Sequence, residues 1–216
     1  MVDTKRLRCI LGWLGMLLPL IVLALAAIFG YGIPDSISAT YYLAPCITPF
    51  MIILGASGLF LICYNGYDKH DDIICTFAGC FALGICLFSC ATDGLVAIWP
   101  ELAELTRVGT FQIIPWVSGI LHNVCAVGFF GLLAYNSLFL FTKSGGTMTE
   151  NKKKRNTIFR VCGIGMVISL VAIVPVSIFN IWGGTWLIEA IALGFFGISW
   201  LTKASRYRWL FADKKD

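Results

Sequence analysis

Few residues in this 216-residue chain are equipped for chemistry, and they fall close together in depth if the apolar segments are taken as membrane spans. His122 is the one histidine inside an apolar run, WVSGILHNVCAVGFFGLLAYNSLFLF. An ionisable group at membrane depth is costly, so it faces a bundle interior, a partner or a cavity. Glu189 sits in a second apolar run, only a turn past Trp186. Asp93 follows a third, and Ser36, Ser38, Tyr41 and Tyr42 crowd the connection ahead of a fourth. Two chemistries fit these types. One is a lined pocket whose polar groups meet the head of a lipid or small amphiphile. The other is nucleophilic catalysis, with Ser36 or Ser38 as nucleophile, His122 as base and Asp93 as the group that orients it. No GxSxG elbow accompanies the serines. His122 bonded to a backbone carbonyl and Glu189 reaching water are the plain structural alternatives.

The elements that must position these residues are six apolar helices. Their expected bounds are Ile10–Tyr31, Cys46–Tyr64, Ile73–Cys90, Trp116–Phe141, Thr157–Phe179 and Trp186–Leu201. Each is near the roughly 20 residues that a spanning helix needs. The whole chain, residues 1–216, reads as one transmembrane domain. The fold class is all-α, a polytopic bundle. A signal peptide ending near Ala24-Leu25-Ala26 is the competing reading of the first run. That run continues to Tyr31, too far for an ordinary signal core, so helix 1 is read as retained. Pro175 is expected to interrupt helix 5. Residues 99–107 (WPELAELTR) are expected to form a short interfacial helix with Leu95, Ile98, Leu102 and Leu105 on one face.

Composition supports this class. Hydrophobic residues make up 58% and charged residues 13%, too little charge for the surface of a soluble domain. Mean hydropathy is +0.84. Lys and Arg, except Arg107 and Arg160 in the first turn of helix 5, cluster at the N-terminus, between helices 2 and 3, between helices 4 and 5 and in the tail. Basic residues accumulate on the cytoplasmic side, so both termini are expected there. Trp99, Trp116, Trp182 and Trp186 then mark the outer interface, and Trp13, Trp200 and Trp209 the inner one. His122 lies about 9 Å below the outer interface at 1.5 Å per residue. His70 is expected at the opposite face, so the two histidines cannot share a metal ion. The net charge of +4 is topological and implies no nucleic acid. The SGGT segment at 144–147 is a flexible linker, and NKKKRN a topology signal in the same loop with an added attraction to anionic headgroups. The nine cysteines form no zinc or disulfide framework, although Cys46 and Cys90 fall near one membrane face and a bridge between them is left open. Gly55/Gly58, Gly128/Gly131 and Gly194/Gly197 recur in the even-numbered helices, where small residues allow close approach.

SISATYY, LHNVCAVGFFGLLAYNSLFLFTK, RNTIFRVCG and WLIEAIALGFFGISWLTK together resemble uncharacterised bacterial multispan proteins, similar in layout to the domain-of-unknown-function and DRAM-like six-helix families. A more distant likeness is to the alkaline ceramidase and progestin/adipoQ receptor superfamily. That superfamily's pattern of Ser, Asp and three His around zinc would map onto Ser36 or Ser38 and onto His122. Where bacterial relatives have a His after the paired tyrosines, this chain has Leu43.

The resulting expectation is a multi-pass protein of the bacterial inner membrane. It binds a lipid or small amphiphile at His122, Glu189, Asp93, Ser36, Ser38, Tyr41 and Tyr42. No cofactor, resident metal or nucleic acid is expected, and a homo-oligomer is left open. A membrane hydrolase and a small-solute transporter are the alternatives.

Overall fold

The computed structural model describes residues 4–143, 149–179, 181 and 183–204. Six long helices run through it: α1 (Thr4–Ile28), α2 (Ala44–Ile62), α3 (Lys69–Leu87), α4 (Pro115–Tyr135), α5 (Glu150–Ile178) and α6 (Gly184–Lys203). All six are long and apolar enough to cross a membrane. Their outward faces agree, with Ile52 64% exposed, Phe77 57% and Val171 67%. In water a surface this apolar would aggregate, whereas lipid tails solvate it. The chain is a multi-pass membrane protein.

Each helix packs on its neighbours in sequence, and α6 closes the ring against α1. Helices α4 and α6 barely touch across the middle. Glycine allows two of the seams to close tightly: a side chain at Gly58 or Gly79 would strike the facing helix backbone, as would one at Gly12 or Gly197. In each recurring pair only the second position, or in helix 4 the first, meets a neighbour; Gly55, Gly131 and Gly194 face open space.

Several boundaries differ from expectation, each for a local reason. Helix α1 ends at Ile28 because Gly30, at φ 80°, reverses the chain. There the Gly30 N–H reaches the Ala27 carbonyl and the Tyr31 N–H the Ala26 carbonyl, a Schellman closure. Helix α3 begins at Lys69, since Asp68 accepts the Asp71 N–H at 3.0 Å and caps it. Helix α5 begins at Glu150, capped by Thr149, so the run NKKKRN is helical and not a loop. Pro175 does not break α5; it lies in the last turn, where one hydrogen bond is lost and the helix continues to Ile178. Helix α4 widens into a π turn over Asn136–Leu140, closed by Phe141 N–H on the Asn136 carbonyl.

The connection before α4 holds only a five-residue 3-10 helix, Pro100–Glu104. Leu95, Trp99 and Leu102 are buried under it, while Ile98 and Leu105 remain exposed. Trp200 is no interface marker either. It is 1% exposed and packs edge-on to Phe141 and Tyr64. Trp182, Trp209, the segment SGGT and the tail beyond Ala204 lie outside the described residues. Cys46 and Cys90 are both free, and the Cys46 thiol turns instead to the Val22 carbonyl.

A candidate polar site beneath the loop between α1 and α2

The loop after α1 does not stay on the surface. Ile37, Ala39, Thr40 and Leu43 are buried, and the segment Ser38–Tyr42 winds into a 3-10 turn. Irregular backbone is tolerated at such a place only when its polar groups find partners within the protein. Thr40 N–H bonds the Ile37 carbonyl, and the Ala39 N–H is taken by Ser36 Oγ at 2.8 Å. Ser36 is therefore a capping residue of the turn.

The loop is held from two sides. From α6, Glu189 Oε2 accepts the Ile37 N–H at 2.6 Å. From α4, His122 Nε2 lies 3.0 Å from Ser38 Oγ, and its Nδ1 lies 2.7 Å from the Phe88 carbonyl oxygen at the end of α3. These partners fix the hydrogens. A carbonyl oxygen only accepts, so Nδ1 carries the proton and donates it. In a neutral ring Nε2 then accepts the Ser38 O–H. The Ser38 proton cannot also serve Glu189 Oε1, which stands at 3.5 Å, the outer limit of a hydrogen bond. Ser38 belongs to His122, and Glu189 belongs to the loop backbone.

A narrow cavity opens on this pair. Its volume is about 40 Å³, and it runs between Leu18, Phe50, Leu54, Phe129, Phe130 and Leu193, with Ser38 and Glu189 as its polar wall. One water needs about 10–15 Å³ of such space, so the cavity accepts a few waters or the end of one alkyl chain. His122 stands behind Ser38 and is only 3% exposed.

The remaining candidates separate from this centre. Tyr42 O–H meets Ser89 Oγ at 3.0 Å and the Cys90 carbonyl at 2.6 Å, and Ser89 continues to Ser118. Burial pushes the Tyr42 phenol well above its ordinary range. Tyr41 lies edge-on to Tyr42 with centroids 5.5 Å apart. Asp93 is exposed and takes no part at His122, where the Phe88 carbonyl fills the orienting position instead. With Asp35, Asp93 lines a wider recess of about 670 Å³ against the ends of α5 and α6. Burial raises the Asp35 carboxyl, partly offset by a hydrogen bond from the Gly183 backbone.

Sequence reasoning missed Phe88 and Ile37, which act through backbone atoms that any residue supplies. It also missed Ser89 and Ser118. Ser118 was findable, one helical turn before His122 on the same face.

His70 is at the other end of the bundle, against the Tyr135 ring at 5.9 Å. It lies in a group with Asp68 and Asp71 whose ligand atoms are within 4.8 Å of one another. Lys143 already occupies those carboxylates, with its Nζ 2.9 Å from Asp68 and 2.6 Å from Asp71. At His122 both ring nitrogens are engaged and no second histidine is near, so the donor set does not fit the zinc of the ceramidase-like pattern. Compared with protein-family models, with curated proteins and with solved structures, the chain matches none of them. The six-helix layout is present, and the functional reading rests on the site itself.

Proposed function

We propose that this protein binds a small amphiphile in the outer half of the bundle, with its polar end at Ser38 and Glu189 and its apolar end in the cavity between α1, α2, α4 and α6. The observation that carries the reading is the cavity's division into one polar wall and otherwise apolar sides. The volume selects a slender chain end and not a whole diacyl lipid. The Ile37–Tyr42 segment caps the site, and His122 holds that cap in place through Ser38. The positive-inside bias supports an orientation with both termini in the cytoplasm and the loop outward, in a cytoplasmic (inner) membrane. Native mass spectrometry of purified protein tests the reading. Ala126 of α4 also lines the cavity; wild type retains an amphiphile, Ala126→Leu and His122→Ala fold but lose it, and Ser36→Ala retains it. Equal retention by wild type and Ala126→Leu overturns the proposal.

A second reading follows from the 3.0 Å contact between Ser38 and His122 with Nδ1 already fixed. The same pair suits an ester hydrolase. Ser38 Oγ would bond to the ester carbonyl carbon while His122 Nε2 takes its proton. The alcohol would then leave with that proton, and water would release the acid from Ser38. Labelling by a fluorophosphonate, lost in Ser38→Ala and kept in Ser36→Ala, supports this route; an unlabelled wild type removes it.

A further inference from the structure

The opposite end of the bundle is built on a different principle. A cleft of about 360 Å³ opens there between α1, the end of the π turn, the first turns of α5 and the end of α6. Six cations line it: Lys5, Arg8, Lys143, Lys152, Arg155 and Lys203. Among the described residues, only Lys143 of Arg8, Lys143, Lys152, Arg155 and Lys203 has a carboxylate within ion-pair distance, namely Asp68 and the buried Asp71. Lys203 Nζ rests over the rings of Tyr67 and Phe141 at 4.5 and 4.7 Å, and the Arg8 guanidinium over Tyr64 at 5.2 Å. Lys152 Nζ reaches the Phe141 carbonyl at 3.1 Å. Arg8 Nε is buried with no hydrogen-bond partner among the described residues.

A topology signal alone does not produce this arrangement, because it needs only positive charge on one side of the membrane. Here the helical run divides. Lys153 and Lys154 are exposed, whereas Lys152 and Arg155, three apart on one face, are half-buried and turn into the cleft. Like charges drawn together from four segments repel one another unless an anion joins them. Aromatic rings stand against two of the cations, Lys203 and Arg8, without neutralising their charge. The cleft also falls within the roughly 300–1,000 Å³ of small-molecule sites.

We propose that this cleft binds a phosphate-bearing anion, with Lys152, Arg155 and Arg8 as its principal donors. The phosphate is either the headgroup of an anionic phospholipid or a soluble phosphorylated molecule, since basic pockets between spanning helices recognise the same group in both. Full-length protein in phosphatidylcholine nanodiscs, with or without phosphatidylglycerol, separates the sources. Thermal stabilisation by phosphatidylglycerol identifies a headgroup site, and stabilisation by inorganic pyrophosphate in phosphatidylcholine alone identifies a soluble anion. Two double variants with equal charge change test the geometry. Lys152→Gln with Arg155→Gln weakens binding of the effective probe roughly 30-fold, at about a tenfold change per 1.4 kcal/mol and about 1 kcal/mol per basic residue. Lys153→Gln with Lys154→Gln leaves binding within about twofold of wild type, and Arg155→Lys with Lys152→Arg restores most of it. The proposal is overturned if neither probe stabilises wild type, or if the two glutamine pairs weaken binding equally.

Discussion

The two ends of this bundle meet the same demand, satisfying polar groups at the rim of an apolar body, by opposite means. Beneath the loop between α1 and α2, the partners are neutral: a histidine between a serine and a carbonyl, and a carboxylate on the backbone N–H groups of Ile37 and Ser38. At the other end, cations gather around Tyr64, Tyr67 and Phe141 with Asp68 and Asp71 at the edge. The first arrangement suits a buried place, where an unpaired charge is expensive and each hydrogen bond is strengthened by the low dielectric. The second suits a wetted interface, where charge is cheap to hold and attracts ions. An apolar cavity of about 40 Å³ opens on the first, and a cleft of about 360 Å³ opens on the second. On the functions proposed, the small cavity would discriminate by shape and the larger cleft by charge.

The sharpest way to break this contrast is to ask whether the ends face different compartments. In a cysteine-free background, a cysteine at Lys154 should be labelled by a membrane-impermeant maleimide only after the cytoplasmic side is opened. A cysteine at Glu104, exposed on the other side, should be labelled in intact cells. This effect is all-or-none, and the reverse pattern removes the orientation.

A smaller effect is expected inside the polar end. His122→Leu leaves the Phe88 carbonyl and Ser38 Oγ without their partner, which should cost about 1–3 kcal/mol. Thermal or denaturant unfolding in detergent reads it. Glu189→Gln, which keeps an acceptor for the Ile37 N–H, should cost less than Glu189→Leu.

The smallest effect belongs to the exposed ion pair at the basic end. Lys143 holds the Asp68 carboxyl down to about 2, and the two carboxylates raise Lys143 above its ordinary range. The Asp68 contribution is present above the ordinary carboxylate range and is lost as pH falls through about 2. That of Lys143 is present below the ordinary lysine range and is lost as pH rises beyond it. The stability difference between wild type and Asp68→Asn, which keeps a helix cap and leaves Lys143 on Asp71, should therefore be modest at pH 6 and shrink as the solution is acidified. A difference that grows on acidification contradicts the assignment.

Length and apolar runs made the six helices legible in the sequence, because a spanning segment has little freedom in either. Their ends were less so. Asp68 and Thr149 are recognisable caps, yet the charged residues after them have the hydropathy of a loop, which masks the helix starts. At the site, His122, Glu189 and Ser38 were legible as costly or reactive groups at a shared depth. Their connections were not, since two of the three pass through the backbone of Phe88 and Ile37. Asp93 was grouped with them by depth alone, and depth does not fix position around the bundle. The inward turn of Lys152 and Arg155 depended on the helix beginning at Glu150, which the loop reading concealed.

The proposed function requires that an amphiphile's chain end enter the cavity beneath Ser38 and Glu189. A photoactivatable fatty acid with a terminal diazirine, crosslinked in membranes and mapped by peptide mass spectrometry, tests it most directly. Adducts are expected on Phe129, Phe130 or Leu193, reduced at least severalfold in Ala126→Leu by loss of space. Adducts confined to lipid-facing positions such as Ile52 and Val171, with no change in Ala126→Leu, would contradict it.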